Sequence, residues 1–184
     1  MKNIVVIFDS RYGHTAQMAT AVAAGACRLP EVESHTINIK DVSRDWKRLS
    51  AADAMIFGSP TYFGGVSAAF KEFMEKSSIF YAEQRWKDKL AAGFTCSGGA
   101  SGDKLATLQQ ISIFAAQHGM HWVNLGIGKA GTTHDVESEE NLNRLGCWIG
   151  AAGQSNGNAA VASSDLATAR YLGQRVAETV MRFV

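Results

Sequence analysis

The sequence predicts a single α/β domain over residues 1–184, with a doubly wound parallel sheet and helices on both faces. Two observations support this prediction. Short, uninterrupted apolar runs such as residues 4–8 are typical of strands that are buried on both faces. These runs alternate with longer segments whose apolar residues recur at helical spacing. Strands that alternate with helices are joined by right-handed crossovers, which makes the sheet parallel.

The predicted sheet has five strands in the order 2-1-3-4-5. Residues 66–76 show the helical pattern clearly, because Val66, Phe70 and Phe73 fall on one face. Ser163 or Ser164 is expected to cap the last helix. The predicted strands cover residues 4–8, 34–39, 54–57, 90–95 and 122–125. The predicted helices cover residues 15–28, 43–49, 66–76, 103–118 and 164–183, and a looser region covers residues 126–158.

Composition argues against several classes of function. The formal net charge of +1 gives no case for nucleic-acid binding and argues against a strongly acidic electron carrier. Cys27, Cys96 and Cys147 lack CxxC spacing and the histidines are scattered, so we expect neither a disulfide framework nor a metal site. The sequence shows no signal-peptide pattern and no apolar stretch near the roughly 20 residues of a membrane helix. We therefore expect a cytoplasmic protein without membrane contact.

The loop after the first predicted strand, residues 9–15, runs directly into a helix. Ligands of doubly wound sheets bind beyond the carboxyl ends of the strands, at the point where the strand order reverses. A helix N-terminus attracts phosphate there, Ser10 and Thr15 add hydroxyl groups, and Gly13 permits close approach of the backbone. An ordinary capped helix start would have the same composition. Because GxGxxG and GxxxxGK[ST] are absent from this loop, a monophosphate fits better than a triphosphate.

The loop after the third predicted strand carries two aromatic residues at its crest. Tyr62 and Phe63 lie between Pro60 and Gly64, and an exposed aromatic pair could stack on a planar ring. In the alternative interpretation, Phe63 packs into the core and only Tyr62 is exposed.

The loop after the fourth predicted strand, residues 95–103, consists almost entirely of small residues. Backbone N–H and C=O groups in such a loop can contact the edge of a heterocycle and stabilise its anionic reduced form. A floppy surface loop remains the alternative. Cys96 lies in this loop, but no neighbouring residue forms a base or a resolving-cysteine signature, so we assign it no redox role.

Four motifs together resemble the flavodoxin-like NAD(P)H:quinone oxidoreductases, and most closely the WrbA-like (tryptophan-repressor-binding-protein) group. The motifs are SRYGHT at residues 10–15, GSPTYFG at 58–64, CSGG at 96–99 and QHGM at 117–120. The tail ARYLG at residues 169–173 is also similar to the last helix of that group. The resemblance covers nearly the whole chain in order, and it implies a flavodoxin-like fold and an FMN cofactor.

The resemblance also implies roles for individual residues. The phosphate loop falls on residues 10–15, the segment that flanks the ring falls on residues 61–63, and the third flavin loop falls on residues 96–101. The histidine that lies near the flavin in the family falls on His118, to which we assign a catalytic role; by position alone, His118 reads as a histidine favoured by a helix C-terminus. The predicted cofactor-binding residues are Ser10, Arg11, Tyr12, Gly13, His14, Thr15, Pro60, Thr61, Tyr62, Phe63, Gly64, Cys96, Ser97, Gly98, Gly99, Ala100, Ser101 and His118.

The activity that the resemblance implies is transfer of two electrons from NADH or NADPH to a quinone or similar small-molecule acceptor by a ping-pong mechanism. Tyr12 would also contact the nicotinamide nucleotide. The resemblance implies a homodimer or homotetramer, and residues 79–81 with Trp86 read equally as a subunit contact or as core. The alternative function is a flavodoxin-type electron-transfer protein that binds FMN without NAD(P)H turnover of its own. A flavin-free interaction module is a third possibility.

Overall fold

A computed structural model describes residues 1–132, 134–157 and 160–183. Within these ranges, helices cover both faces of a mainly parallel sheet. The strands are β1 (Lys2–Phe8), β2 (Val32–Asn38), β3 (Ala54–Tyr62), β4 (Gly65–Val66), β5 (Leu90–Ser97), β6 (His121–Trp122) and β7 (Ala151–Gln154). The α-helices are α1 (His14–Ala26), α2 (Trp46–Ala51), α3 (Ala68–Lys76), α4 (Ser78–Ala82), α5 (Lys104–Gln117) and α6 (Ser163–Arg182), and a 3₁₀ helix covers Ile39–Arg44.

The central strands are hydrogen-bonded in the order β2-β1-β3-β5-β6. All four pairings along this path are parallel. Because β5 and β6 correspond to the fourth and fifth predicted strands, the predicted order 2-1-3-4-5 is confirmed, and with it the α/β fold class. The strand order reverses at β1 and β3, which places a ligand crevice beyond their carboxyl ends.

The last position of the sheet is shared between two short strands. β6 pairs with the start of β5 through Leu90 and His121, and β7 pairs with its end from Phe94 to Ser97. The chain therefore leaves the sheet after Trp122 and returns at Ala151, so the prediction of one strand over residues 122–125 was wrong. The sequence of β7, AAGQ, has no β-branched or aromatic residue, which is why it was not recognised as a strand.

Two helix starts also differ from prediction. Residues 65 and 66 form β4, antiparallel to β3, and α3 begins later with Ser67 as its N-cap, whose side chain accepts the N–H of Phe70. Ala162 occupies the N-cap of α6, so the prediction of a serine cap was wrong. Ser163 and Ser164 lie inside that helix, where their hydroxyls donate to the preceding segment.

Each face of the sheet has its own buried core. One core packs α1 and α6 against β1, and the other packs the aromatic residues of α3 and α5 against β3. Helices α1 and α6 touch through glycine: a Cβ on Gly25 would lie 1.9 Å from the carbonyl oxygen of Arg170, and one on Gly173 would lie 1.9 Å from that of Val22. In the described part of the chain, no helix is long and apolar enough to cross a bilayer.

Candidate functional site

A cleft of about 490 Å³ opens at the carboxyl ends of β1, β3 and β5, where three loops converge. Its volume lies within the range of small-molecule sites. Most of its lining residues were predicted, but Ser155 and Gly157, which follow β7, were missed because β7 itself was missed. The lining residues are Ser10, Arg11, Tyr12, His14, Thr15, Pro60, Thr61, Tyr62, Cys96, Ser97, Gly98, Ser155 and Gly157.

The first loop presents a helix N-terminus to the cleft. Gly13 is the N-cap of α1, with a φ of 90°, in the left-handed region that glycine adopts readily. Glycine supplies no side-chain cap, and the first turn of α1 contains no acidic residue. The hydroxyl of Ser10 accepts the N–H of Ala16 at 3.2 Å, which folds the loop back over the helix start. The positive end of the helix dipole therefore meets the cleft without a carboxylate, an arrangement that suits a phosphate.

A buried hydrogen-bond network fixes the ends of β1 and β3 beside this loop. The hydroxyl of Ser67 donates to the carboxylate of Asp9 at 2.6 Å. The N–H of Ser67 donates to the hydroxyl of Ser59 at 2.9 Å, which in turn donates to the carbonyl of Pro60. Since α3 begins at Ser67, the network ties that helix to both strands and holds Pro60 in the wall of the cleft.

A second network lies under the cleft floor. Thr61 lines the cleft, and its hydroxyl bonds to those of Thr95 at 2.7 Å and Thr107 at 2.8 Å. The three residues belong to β3, β5 and α5 and are all buried. Burial, with Tyr12 and Asp9 nearby, raises the pKa of Tyr62, so its phenol stays protonated at neutral pH and can donate a hydrogen bond.

Phe63 lies outside the cleft. Its φ is 50°, an uncommon conformation for a bulky residue, and its side chain is fully exposed. The alternative in which Phe63 packs into the core was therefore wrong. Gly64, with a φ of 75°, completes the turn into β4. Neither residue lines the cleft, so their contact with a flavin remains a prediction.

The third loop divides between two cavities. Cys96, Ser97 and Gly98 line the cleft, whereas Ala100 and Ser101 line a separate cavity of about 550 Å³. The sequence treated the loop as one continuous flavin contact, and the structure does not place its second half in the cleft. Burial raises the pKa of Cys96 to about 11, so this residue is a thiol and not a reactive thiolate at neutral pH.

Four polar side chains that were not predicted lie beneath this loop. Lys104, Arg144, Gln154 and Asp165 form hydrogen bonds with one another or with the loop carbonyls. Lys104 left a signal in the sequence, because it falls on the same helical face as Leu108 and Ile111. Asp165 shares a helical face with Ala169 and Leu172 in the same way. A lysine at a core position indicates either a partner or a function.

His118 is not at the cleft. It follows the C-terminus of α5, whereas the cleft lies at the N-terminus, and a helix of 14 residues spans about 21 Å. The side chain is buried, packs against Trp86 and Phe114, and bonds to the hydroxyl of Ser77 at 3.0 Å. Burial lowers the pKa of His118 to about 4. Within this chain His118 does not line the cleft, so its predicted catalytic and flavin-binding roles remain predictions.

The cleft has the features that FMN requires. The end of α1 and the hydroxyls of Ser10 and Thr15 suit the phosphate, Tyr62 offers an aromatic face, and the backbone near Gly98 lies where the edge of a ring could be contacted. Among residues 1–132, 134–157 and 160–183, no cluster of three metal-ligating side chains is present.

Comparison with known proteins then identifies the family. The sequence matches the NADPH-dependent FMN reductase family over residues 3–134. The chain belongs to this family. Membership confirms FMN as the cofactor and a reduced nicotinamide dinucleotide as the electron donor, and it makes the protein an oxidoreductase.

Individual relatives and a solved structure support the WrbA-like resemblance. Flavodoxin FldP of Pseudomonas aeruginosa is 39% identical over 181 residues, covering 96% of each chain. An NAD(P)H dehydrogenase (quinone) of Archaeoglobus fulgidus is 34% identical over 201 residues, covering 97% of each chain. The crystal structure of the flavodoxin, WrbA-like protein from Agrobacterium tumefaciens is 38% identical, covers 100% of each chain and has a TM-score of 0.77.

Proposed function

We propose that the protein is an FMN-dependent NAD(P)H:quinone oxidoreductase that uses the cleft formed by the three loops. The convergence of a carboxylate-free helix start, an aromatic segment and a backbone-rich loop at one sheet edge carries this proposal. Relatives named NAD(P)H dehydrogenase (quinone) support a quinone as the acceptor. When bound, FMN supplies the two-electron redox chemistry.

In the proposed site, the protein binds and orients but does not act as a nucleophile. Ser10, Thr15 and the N-terminus of α1 hold the phosphate. Tyr62 flanks the ring, and its protonated phenol provides a donor. Because the raised pKa of Cys96 keeps the sulfur protonated, this side chain contributes shape and not reactivity. The role of the loop backbone is to place donors where negative charge develops.

Donor and acceptor use the same opening of the cleft in turn. Tyr12 is exposed at the rim, and the guanidinium carbon of Arg11 lies 5.7 Å from the centre of its ring. A cation on an aromatic ring at the mouth favours an anionic, planar molecule such as a nicotinamide dinucleotide. Sharing this opening requires one product to leave before the next substrate enters, which predicts ping-pong kinetics. Intersecting lines in steady-state plots would contradict the shared opening.

The first experiment measures FMN affinity and the oxidation of NADH and NADPH with and without benzoquinone. We expect quinone-dependent oxidation by the wild type. The double variant Ser10→Ala/Thr15→Ala loses two hydroxyls that face a charged phosphate and should bind FMN at least about tenfold more weakly. Thr20→Ala is the matched control, because it removes an exposed hydroxyl from the same helix. Equal losses in both variants would reject the phosphate site.

The alternative function is an electron carrier, which is favoured by the name of one relative, Flavodoxin FldP. The net charge of +1 opposes it, because a carrier that docks on basic partners is usually acidic. The same assay separates the two functions. Tight FMN binding without oxidation of either nucleotide would support the carrier, and absence of FMN binding would reject both functions.

We also propose that the protein forms a homodimer or homotetramer. The residues of the predicted contact segment differ in their exposure. Phe80 and Trp86 are buried in the core, whereas Ile79 is 56% exposed and Tyr81 is 50% exposed. The two exposed side chains leave an apolar area for a second copy. Light scattering at assay concentration tests the proposal, and a monomer would overturn it.

A further inference from the structure

The first residue of α5 is a lysine that has no access to solvent. The side chain of Lys104 is 0% exposed, and its ammonium group donates hydrogen bonds to the carbonyl oxygens of Gly99 and Ala100, the latter at 3.3 Å. Both carbonyls belong to the third loop. Burial of an ammonium group is costly unless it is hydrogen-bonded and near opposite charge. Lys104 is therefore held in the interior by its hydrogen bonds to this loop, and it is not a surface lysine.

A second side chain, that of Gln154, holds the preceding carbonyl of the same loop. The side-chain amide of Gln154 donates to the carbonyl of Gly98 at 3.1 Å, and its amide oxygen accepts from Arg144 at 3.3 Å. The backbone N–H of Gln154 donates to Asp165 at 2.9 Å. Arg144 and Asp165 form an ion pair at 2.7 Å, with side chains only 4% and 1% exposed. Three consecutive loop carbonyls, at residues 98, 99 and 100, are therefore held by this cluster.

The geometry of the peptide bond determines where the N–H groups of this loop point. In a trans peptide, the C=O of one residue and the N–H of the next point in opposite directions. Because the carbonyls of Gly98, Gly99 and Ala100 point towards the cluster, the N–H groups of residues 99–101 point away from it. Gly98 itself lines the cleft. The cluster thus determines which backbone groups the loop presents on its outer side.

The cluster also contains more basic than acidic side chains. Lys104 and Arg144 are the two basic residues of the cluster, and Asp165 is its one acidic residue. Burial raises the pKa of Asp165, and the hydrogen bonds from Gln154 and Arg144 oppose that rise. The neighbouring thiols do not compensate, because burial raises the pKa of Cys96 to about 11 and also raises that of Cys147. Burial lowers the pKa of Lys104, but Cys96, Cys147 and Asp165 oppose this effect and Arg144 adds to it. The cluster therefore places two basic side chains against one acidic side chain, all of them buried, behind the loop whose Gly98 lines the cleft.

We propose that Lys104 is a positioning residue that holds the third loop and, with Arg144, stabilises the negative charge that reduction places on bound FMN. The inference rests on the proposed function of the cleft as the FMN site. A charge behind a loop that touches the ring acts through little water, so its effect on the reduced state exceeds that of any exposed lysine. Lys104 therefore raises the midpoint potential of the cofactor as well as its affinity.

The test compares Lys104→Met with Lys47→Met in the FMN-loaded protein. Methionine keeps the length of the side chain and removes its charge, and Lys47 is an exposed lysine of α2 that serves as a charge-matched control. We expect Lys104→Met to bind FMN about tenfold or more weakly, because bonds to a charged group are lost. Its midpoint potential should become more negative, whereas that of Lys47→Met should equal the wild type. A wild-type potential in Lys104→Met would overturn the proposal.

The variant Gln154→Ala separates the two roles, because it releases the carbonyl of Gly98 and leaves every charge in place. FMN affinity should fall while the midpoint potential stays close to that of the wild type. A shift in potential as large as that of Lys104→Met would attribute the effect to loop disorder and overturn the electrostatic role. If the wild type binds no FMN, the proposed function itself fails, which is a distinct outcome.

A measurement on the wild type covers the case in which Lys104→Met does not fold. If the charge of Lys104 stabilises the reduced cofactor, reduction must raise the pKa of its ammonium group by the same coupling energy. NMR titration of ¹⁵N-labelled lysine in the oxidised and reduced holoprotein reports this pKa, with the signal assigned by its absence in Lys104→Arg. The same pKa in both redox states would overturn the proposal.

Discussion

A side chain that can carry a positive charge is buried at each end of α5, and the two side chains differ in their hydrogen-bond partners. At the start of the helix, Lys104 has carbonyl acceptors and lies near Asp165. At the end, His118 is packed against Trp86 and Phe114, and its Nδ1 is buried without a hydrogen-bond partner among the described residues. Burial lowers the pKa of both groups. The partners, more than the burial, decide whether the charge is kept, so the helix is charged beside the cleft and neutral at its far end.

The largest expected effect comes from breaking the charged end. Asp165→Asn removes the carboxylate that faces Arg144 at 2.7 Å and leaves a buried guanidinium without its counter-ion. We expect the free energy of unfolding, measured by urea denaturation, to fall by about 3–5 kcal/mol.

Glu139→Gln is the matched control for Asp165→Asn, because Glu139 forms an ion pair at 3.0 Å with Arg170 and is 63% exposed. Loss of this surface pair should cost less than about 1 kcal/mol. Similar small losses in both variants would show that water reaches the Arg144 pair, and the contrast between the two ends of α5 would then disappear.

The neutral end predicts a dependence of stability on pH. The pKa of His118 is about 4 in the folded protein, below its ordinary value near 6.5, so the unfolded state binds the proton more readily. The contribution of His118 to stability is therefore present above pH 6.5 and is lost as the pH falls towards 4, by up to about 3 kcal/mol. Urea denaturation from pH 7.5 to 4 measures this loss, and His118→Gln should flatten the curve over this range. An identical slope in the variant would contradict the assignment.

A smaller effect is expected at the hydrogen bond between the side chains of His118 and Ser77. Ser77→Ala removes the hydroxyl that lies 3.0 Å from Nε2 and leaves both ring nitrogens without a side-chain partner. The free energy of unfolding at neutral pH should fall by about 1–2 kcal/mol. Ser78→Ala changes the adjacent, exposed serine and should alter stability by less than about 0.5 kcal/mol. If both substitutions have the same effect, the histidine end is held by packing alone.

The features that the sequence could predict are those that depend on residues close together in the chain. The strand order and the first loop follow from local patterns, because an apolar run, a glycine and two hydroxyls lie within a few residues of one another. His118 was assigned to the flavin from a short motif, and a motif does not record that the residue follows the far end of α5 and does not line the cleft. Phe63 was expected to flank the flavin ring, or alternatively to pack in the core, whereas its side chain is exposed to solvent.

That these side chains meet beneath the third loop could not be predicted from the sequence, for a physical reason. Arg144 and Asp165 are far from Lys104 in the sequence. Arginine and aspartate are residue types that usually lie at the surface. Their burial depends on the return of the chain to β5 at residue 151, and the strand AAGQ has no intrinsic β-preference. A contact between charged side chains that are distant in the sequence leaves no periodic signal that would pair them.

The chain leaves the edge of the sheet after β6 and returns to it at β7, and both strands pair with β5. Arg144 belongs to the segment between these strands, whereas Lys104 begins a helix that packs on the sheet. The two basic side chains of the proposed charge therefore come from separate parts of the chain. The proposed effect on the cofactor depends on the fold of the segment outside the sheet as well as on the sheet itself.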